Sequence, residues 1–289
     1  MSLLNALLAR SFDLLLAPFR QLPPIVGLVV ASAVTAVAML LIFKRTSDQT
    51  RLAAVKRQIH AAIFEIRLFN DDMRAIFRAQ GEILRHNLTY LRLSLVPMLW
   101  MIVPLVLVIA QLQFHYGYDG LTPGEPVLLK AQVREGVLLG SASMADVSLA
   151  SAADRREIAT LEAPPQIEMQ TPAVVIPATR EVIWRIAPRE PGEYELRLRV
   201  GSENFTKSVR VSNDVIRRSP VRLEAAFLNQ LLYPAEAPLP GGAALTSISL
   251  AYPERDIQIL GWGVHWMIVY FVLSMAIAFA LRKRFNVTL

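Results

Sequence analysis

The residues best suited to metal or acid–base chemistry in this chain are its four histidines, and they lie far apart. His60 and His86 fall in a basic stretch, His115 follows one long apolar block, and His265 sits inside another. A zinc-type site needs three or four ligands around one ion, and this spacing offers no cluster to supply them. No G-x-S-x-G, H-E-x-x-H, phosphate loop or G-x-G-x-x-G occurs. The expectation is a protein that is not an enzyme and uses no cofactor. Polar chemistry survives as isolated hydroxyl and amide groups inside apolar blocks. Ser32 and Thr35 lie one turn apart, Gln111 and Gln113 close a second block, and His265, Tyr270 and Ser274 belong to a third. Such groups are costly in hydrocarbon and face another helix or a wet cavity. Two readings stay open: small polar residues joining helices, or the lining of a hydrophilic groove.

The blocks holding these groups are long. Residues 24–43 and 94–114 carry no ionisable side chain, and 260–281 carry only His265 and Tyr270. About 20 apolar residues cross a bilayer as a helix, so each block reads as a membrane span. The whole chain, 289 residues with 54% hydrophobic and a mean hydropathy of +0.39, is too apolar for a soluble domain of this length. Charge sets the orientation. Residues 44–93 hold ten basic side chains against five acidic ones, and 282–289 add three basic and no acidic ones. Residues 115–259 hold 15 basic and 18 acidic residues and are too long for the positive-inside rule. The short basic flanks, and with them the C-terminus, are therefore expected in the cytoplasm. The N-terminus and 115–259 are expected outside. The net charge of +6 is mostly this topology signal. Specific DNA binding is not expected, while the basic loop suits anionic lipid or ribosomal RNA. With no cysteine, the external part holds no disulfide. Arg far outnumbers Lys, which points to a GC-rich bacterial genome, an inner (cytoplasmic) membrane and a periplasmic exterior.

Residues 1–23 place Leu3, Leu4, Leu7, Leu8, Phe12, Leu15, Leu16 and Phe19 at three- and four-residue steps. This is the pattern of an amphipathic helix lying in the outer interface. Residues 44–93 give two apolar stripes. One runs through Leu52, Val55, Ile59 and Ile66; the other runs through Met73, Ile76, Phe77, Gln80, Leu84, Leu88 and Leu91. Asn70 and Asp71 between them suit a helix cap, so the spacing predicts an antiparallel helical hairpin with facing stripes. Arg67, Arg74, Arg78 and Arg85 fall off the stripe and solvate the hairpin. Its second helix continues into 94–114, where Pro97 and Pro104 share a face and are expected to open the helix locally.

After a linker at 115–125, residues 126–212 read as short strands punctuated by Gly, Pro and Asn, with clean alternation from Tyr194 to Val200. About seven strands in this length fit an immunoglobulin-like β-sandwich. Residues 213–259 read as an irregular, membrane-proximal segment with a short helix, a proline-rich loop and one strand. The fold class expected is an α-helical membrane protein, with three transmembrane helices, a cytoplasmic helical hairpin and an extracytoplasmic immunoglobulin-like β-sandwich.

From the first block through the second, the sequence resembles the Oxa/YidC superfamily of membrane-protein insertases. This superfamily includes the archaeal YidC-like proteins and the insertase subunit of the ER membrane complex. The likeness is carried by Asp48, Gln49 and Arg51 with Lys56 and Arg57 at the hairpin start, and by Asn70, Asp71 and Asp72 at its turn. It continues in Ala79 and Gln80, in Ser94, Leu95, Val96, Pro97 and Met98, and in Ile102, Val103, Pro104 and Leu105. It covers 24–118 and 260–289. The resemblance implies an insertase or intramembrane chaperone that needs no nucleotide. It implies client contacts in a groove at Ser32, Thr35, Met98, Met101, Gln111 and Ser274. Lys44, Arg45 and Arg92 would stand at its cytoplasmic mouth, with Arg67, Arg74, Arg78 and Arg85 on the hairpin. The partners implied are membrane lipids, nascent or unassembled membrane proteins and the ribosome. Two features lie outside that plan: no span holds a Lys or Arg, and the external domain is large. They motivate a second reading, a structural or assembly subunit of a larger membrane complex. Its β-sandwich would then bind an extracytoplasmic protein or glycan partner.

Overall fold

The computed structural model describes residues 2–68, 73–135, 159–259, 261–285 and 287. Residues 136–158 of the stretch read as strands, and the caps expected at Asn70 and Asp71, lie outside them. The chain divides into two compact units, Met1–Gly27 with Ile109–Trp266 and Leu28–Val108 with Met267–Leu289.

The N-terminal helix α1 spans Ser2–Leu16 and is followed by a 3-10 turn at Ala17–Phe19. Among the described residues, two helices are long and apolar enough to cross a membrane. The first, α2 (Pro24–Thr46), opens on a proline, where a missing N–H costs nothing, and closes on Lys44 and Arg45, which suit the negative helix pole. Helix α3 (Gln49–Leu68) is capped by Asp48, whose carboxylate accepts the Arg51 N–H at 3.0 Å. The other long apolar helix, α4 (Met73–Tyr116), has 44 residues, about 66 Å at 1.5 Å per residue. It runs unbroken through Pro97 and Pro104, where the sequence predicts local opening.

The β-bearing unit holds strands β1 (Val127–Val133), β2 (Ala159–Glu162), β3 (Ile167–Met169), β4 (Val174–Ile176), β5 (Glu181–Pro188), β6 (Gly192–Val200) and β7 (Glu203–Val211). Strand β8 (Val221–Leu223) and helix α5 (Phe227–Leu232) follow, then β9 (Leu245–Leu250), β10 (Asp256–Ile259) and β11 (Trp262–His265). One antiparallel sheet runs β3-β5-β1-β9-β8, with β4 also on β5, and a second runs β2-β6-β7. Alternation buries Leu129, Val182, Trp184 and Ile248 from the first sheet with Leu161, Leu196, Leu198 and Phe205 from the second in one core. Glycine is required at Gly120, where a Cβ would stand 1.8 Å from the Ser212 carbonyl oxygen.

Two expected boundaries move. The segment read as irregular, 213–259, supplies β8 and β9, and β9 lies beside β1 inside the first sheet. Its buried Leu245, Ile248 and Leu250 fill the core that 126–212 alone leaves open. The third apolar block, read as helical over 260–281, is helical only from Trp266 to Leu281, here α6. Trp262–His265 pair instead with Asp256–Ile259, and Gly261 takes a φ of +86° at the hairpin turn, a conformation glycine adopts freely. Sixteen residues give about 24 Å, short of the ~30 Å hydrocarbon thickness.

Candidate functional site

Within the helical unit, α2 buries a stripe at three- and four-residue steps: Leu28, Ala31, Ser32, Thr35, Ala36, Leu40 and Phe43. Its middle is small and polar. Thr35 donates to the Ala31 carbonyl at 2.8 Å, and the fully buried Tyr270 of α6 brings its hydroxyl against Thr35. The Ser32 hydroxyl is buried and has no hydrogen-bond partner among the described residues. Small side chains let helices approach closely, and hydroxyl pairs of this kind contribute about 0.6 kcal/mol each. Ser32 and Thr35 are thus inside the packing.

The other residues expected in a groove are distributed differently. Met101 packs with Tyr90, Leu93, Ala278, Leu281 and Phe285 around a buried cluster of Leu40, Phe43, Leu52 and Val287. Met98 is exposed, and the Ser274 hydroxyl donates back to the Phe271 carbonyl at 3.1 Å. Gln111 belongs to the other unit, where it is buried with its side-chain oxygen unpartnered. Gln113, also there, accepts from the Trp266 indole N–H at 3.2 Å. The mouth residues Lys44, Arg45 and Arg92 are all exposed.

The hairpin stripe departs most from expectation. Leu52, Val55 and Ala62 of α3 and Ala79 of α4 are buried. Met73, Phe77, Leu84, Leu88 and Leu91, predicted to face α3, are exposed, Leu88 at 66%. The stripe does not end with the hairpin. Phe77, Leu84, Leu91 and Met98 recur every seven residues, as do Leu88, Leu95 and Ile102, and all are exposed. It is one seam along a 44-residue helix, not the inner face of a helix pair. Directly beside it Arg78, Arg85 and Arg92 keep the same seven-residue period and are exposed, as are Arg74 and, at the end of α3, Arg67. A hydrophobic seam edged by guanidinium groups can hold an apolar segment and neutralise acidic or phosphate groups next to it.

Charge is handled differently in the β-bearing unit. His115 is buried between two acceptors, its Nδ1 2.9 Å from the Gln111 carbonyl and its Nε2 3.0 Å from Asp13. Asp13 also binds Arg217. Burial pushes the Asp13 carboxyl up, but the His115 hydrogen bond and the Arg217 charge outweigh it and hold the group below its usual value. These residues line a cavity of about 280 Å³ with Arg20, Glu193 and Arg210. A second knot joins the fully buried Lys207 to Glu236 at 2.6 Å and to the Ser219 hydroxyl at 3.0 Å. Burial draws the Lys207 ammonium below its ordinary value, and Glu236 offsets only part of this. A Ser–Lys pair at this distance has the elements of a nucleophile and its base, but here the Ser219 hydroxyl donates to Glu236 at 2.8 Å and not to the lysine. Sequence reasoning missed both clusters. One local signal was present: Asp13 is the sole acid in residues 1–23, on a helix otherwise suited to an apolar surface. Among the described residues no group of three metal-ligating side chains converges.

No family model, no curated protein and no solved structure matches the chain.

Proposed function

We propose that the protein is a membrane-protein insertase or intramembrane chaperone of the inner membrane, with its N-terminus outside and its C-terminus in the cytoplasm. On this reading α6, with the hairpin before it, is a third span, and the β-bearing unit is an immunoglobulin-like sandwich in the periplasm. One observation carries the reading: the exposed α4 seam, which continues from the basic hairpin into the most apolar half of the same helix. A client segment leaving the ribosome would meet Arg78, Arg85 and Arg92, lay its apolar face along Leu84, Leu88, Leu91 and Leu95, and follow the seam into the bilayer. Met98 gives that path an adaptable contact. Exposed Leu, Phe and Met in such number are unfavourable in water unless something apolar visits or covers them.

A second reading is favoured by the burial of Ser32 and Thr35 with Tyr270. Polar groups already used between helices suit a permanent subunit of a larger complex better than an open groove.

Photocrosslinking in native membranes separates the two, with probes at Leu88 and Met98 on the seam and at Ser32 and Thr35 inside. Heterogeneous adducts with newly made membrane proteins, at the seam and dependent on translation, are the expected result. One discrete adduct that persists without translation would replace the insertase reading with the subunit reading. Reversing the charges with Arg78→Glu, Arg85→Glu and Arg92→Glu together should lower seam adducts about tenfold, an interaction loss of about 1.4 kcal/mol.

A further inference from the structure

Helix α5 of the β-bearing unit is inside out, and α1 beside it leaves two leucines uncovered. On α1 the side facing the unit holds Ala9 and Leu16, both buried, together with Asn5, whose amide donates to the Gln230 carbonyl, and Asp13. The opposite side holds Leu7 and Leu14, the latter 78% exposed, beside the exposed Arg10 and Ser11. On α5 the exposed residues are all apolar. Its Asn229 amide donates to the Glu224 carbonyl at 3.2 Å, its Gln230 backbone carbonyl receives the Asn5 amide, and both residues are half-buried. Phe227 and Leu228, each 62% exposed, and Leu232 turn outward, and the exposed Tyr233 follows. A helix on the surface of a water-soluble domain does the reverse, with apolar residues inward and polar residues outward.

We propose that α5 is seated in a lipid bilayer and that α1 and α5 together form a platform resting the β-bearing unit on the membrane interface. The occupant follows from continuity. The two helices are tied by Asn5 and Gln230, and α1 leads through Ala17–Phe19 and Pro23 straight into α2, one of the two helices apolar enough to cross a membrane. Helix α5 carries no charge, and Phe, Leu and Tyr are residues that enter the boundary between headgroups and acyl chains. Arg10 and Arg20, both exposed on the chain leading into α2, are placed to meet lipid phosphates. The proposal rests on the reading of the chain as membrane-embedded, but it assigns a lipid contact to a segment for which that reading has no role.

The chain has no cysteine, so single replacements report alone. Phe227→Cys, Leu228→Cys and Leu232→Cys in the full chain would each be labelled with an environment-sensitive fluorophore. The proteins would then be reconstituted in phosphatidylethanolamine–phosphatidylglycerol vesicles containing nitroxide lipid. Leu99→Cys on α4 and Thr179→Cys between β4 and β5 serve as references. The expected result is quenching of all three α5 labels by nitroxide near the headgroups, with at least fivefold less quenching by aqueous iodide than at Thr179→Cys. If Leu99→Cys is quenched by lipid while the α5 labels respond to iodide, α5 lies in water and the proposal fails with the membrane reading intact. If the α5 labels are shielded from both quenchers, a protein partner or a second copy covers them, which also overturns it. If Leu99→Cys itself escapes lipid quenching, the membrane reading falls and takes the proposal with it.

Discussion

The β-bearing unit and the helical unit treat charge and bulk in opposite ways. In the first, Lys207, Arg218 and Arg255 are buried and hydrogen-bonded, and Trp184 is enclosed in the core between the sheets. Arg218 donates to the Tyr118 and Asp214 carbonyls, and burial, with Arg255 nearby, draws its guanidinium down to about 10. In the second, Lys44, Arg45, Arg67, Arg74, Arg78, Arg85 and Arg92 are all exposed, and Leu84, Leu88, Leu91 and Trp100 lie outside. The first unit supplies partners for the cations it buries. The second leaves the apolar α4 seam exposed, a surface unfavourable in water unless something apolar covers it.

The contrast can be broken at its most buried point first. Lys207→Met leaves Glu236 and Ser219 without their cation, and the β-bearing unit should lose about 3–5 kcal/mol in denaturant unfolding of the full chain in detergent. A change below about 1 kcal/mol would mean that the ion pair is not dry. Next, Leu198→Ala, at a fully buried position, should lower stability by about 3 kcal/mol through lost packing and a residual cavity. Asp13→Asn removes the partner of both His115 and Arg217 and should lower stability by about 2 kcal/mol. The sign of its pH dependence follows from its lowered folded-state value. The unfolded chain binds the proton more readily, so this contribution is complete above the usual 3.8 and is lost as pH falls through the folded value. An acid titration of stability should therefore show a loss in the parent chain that the Asn variant lacks. Smallest of all, Leu88→Ala on the seam should change stability by less than about 0.5 kcal/mol despite removing as much side chain as Leu198→Ala. A loss comparable to the buried leucine's would show that the seam is covered within the protein itself, and the contrast would collapse.

Legibility in the sequence followed the range of the interactions. The apolar runs of α2 and α4 and the alternation in β6 and β7 are local patterns, and the helices and the hairpin strands stand where those patterns put them. The start of α6 was not legible, because residues 262–265 are apolar enough for helix while their pairing with Asp256–Ile259 is what places them in a strand. The contacts of Asp13 with His115 and Arg217 span 102 and 204 positions and leave no periodic trace. The α4 seam was visible as a stripe, but a stripe gives only which residues share a face. Which way that face turns depends on the rest of the molecule.

The pairing of β1 with β9 also sets a timetable for synthesis. Gln132, in the central strand of its sheet, meets Thr246, 114 positions later, so the first sheet closes only after residues 127–250 have left the ribosome. Until then one edge of β1 stands open to any passing strand. The delay comes from chain connectivity and not from weak pairing.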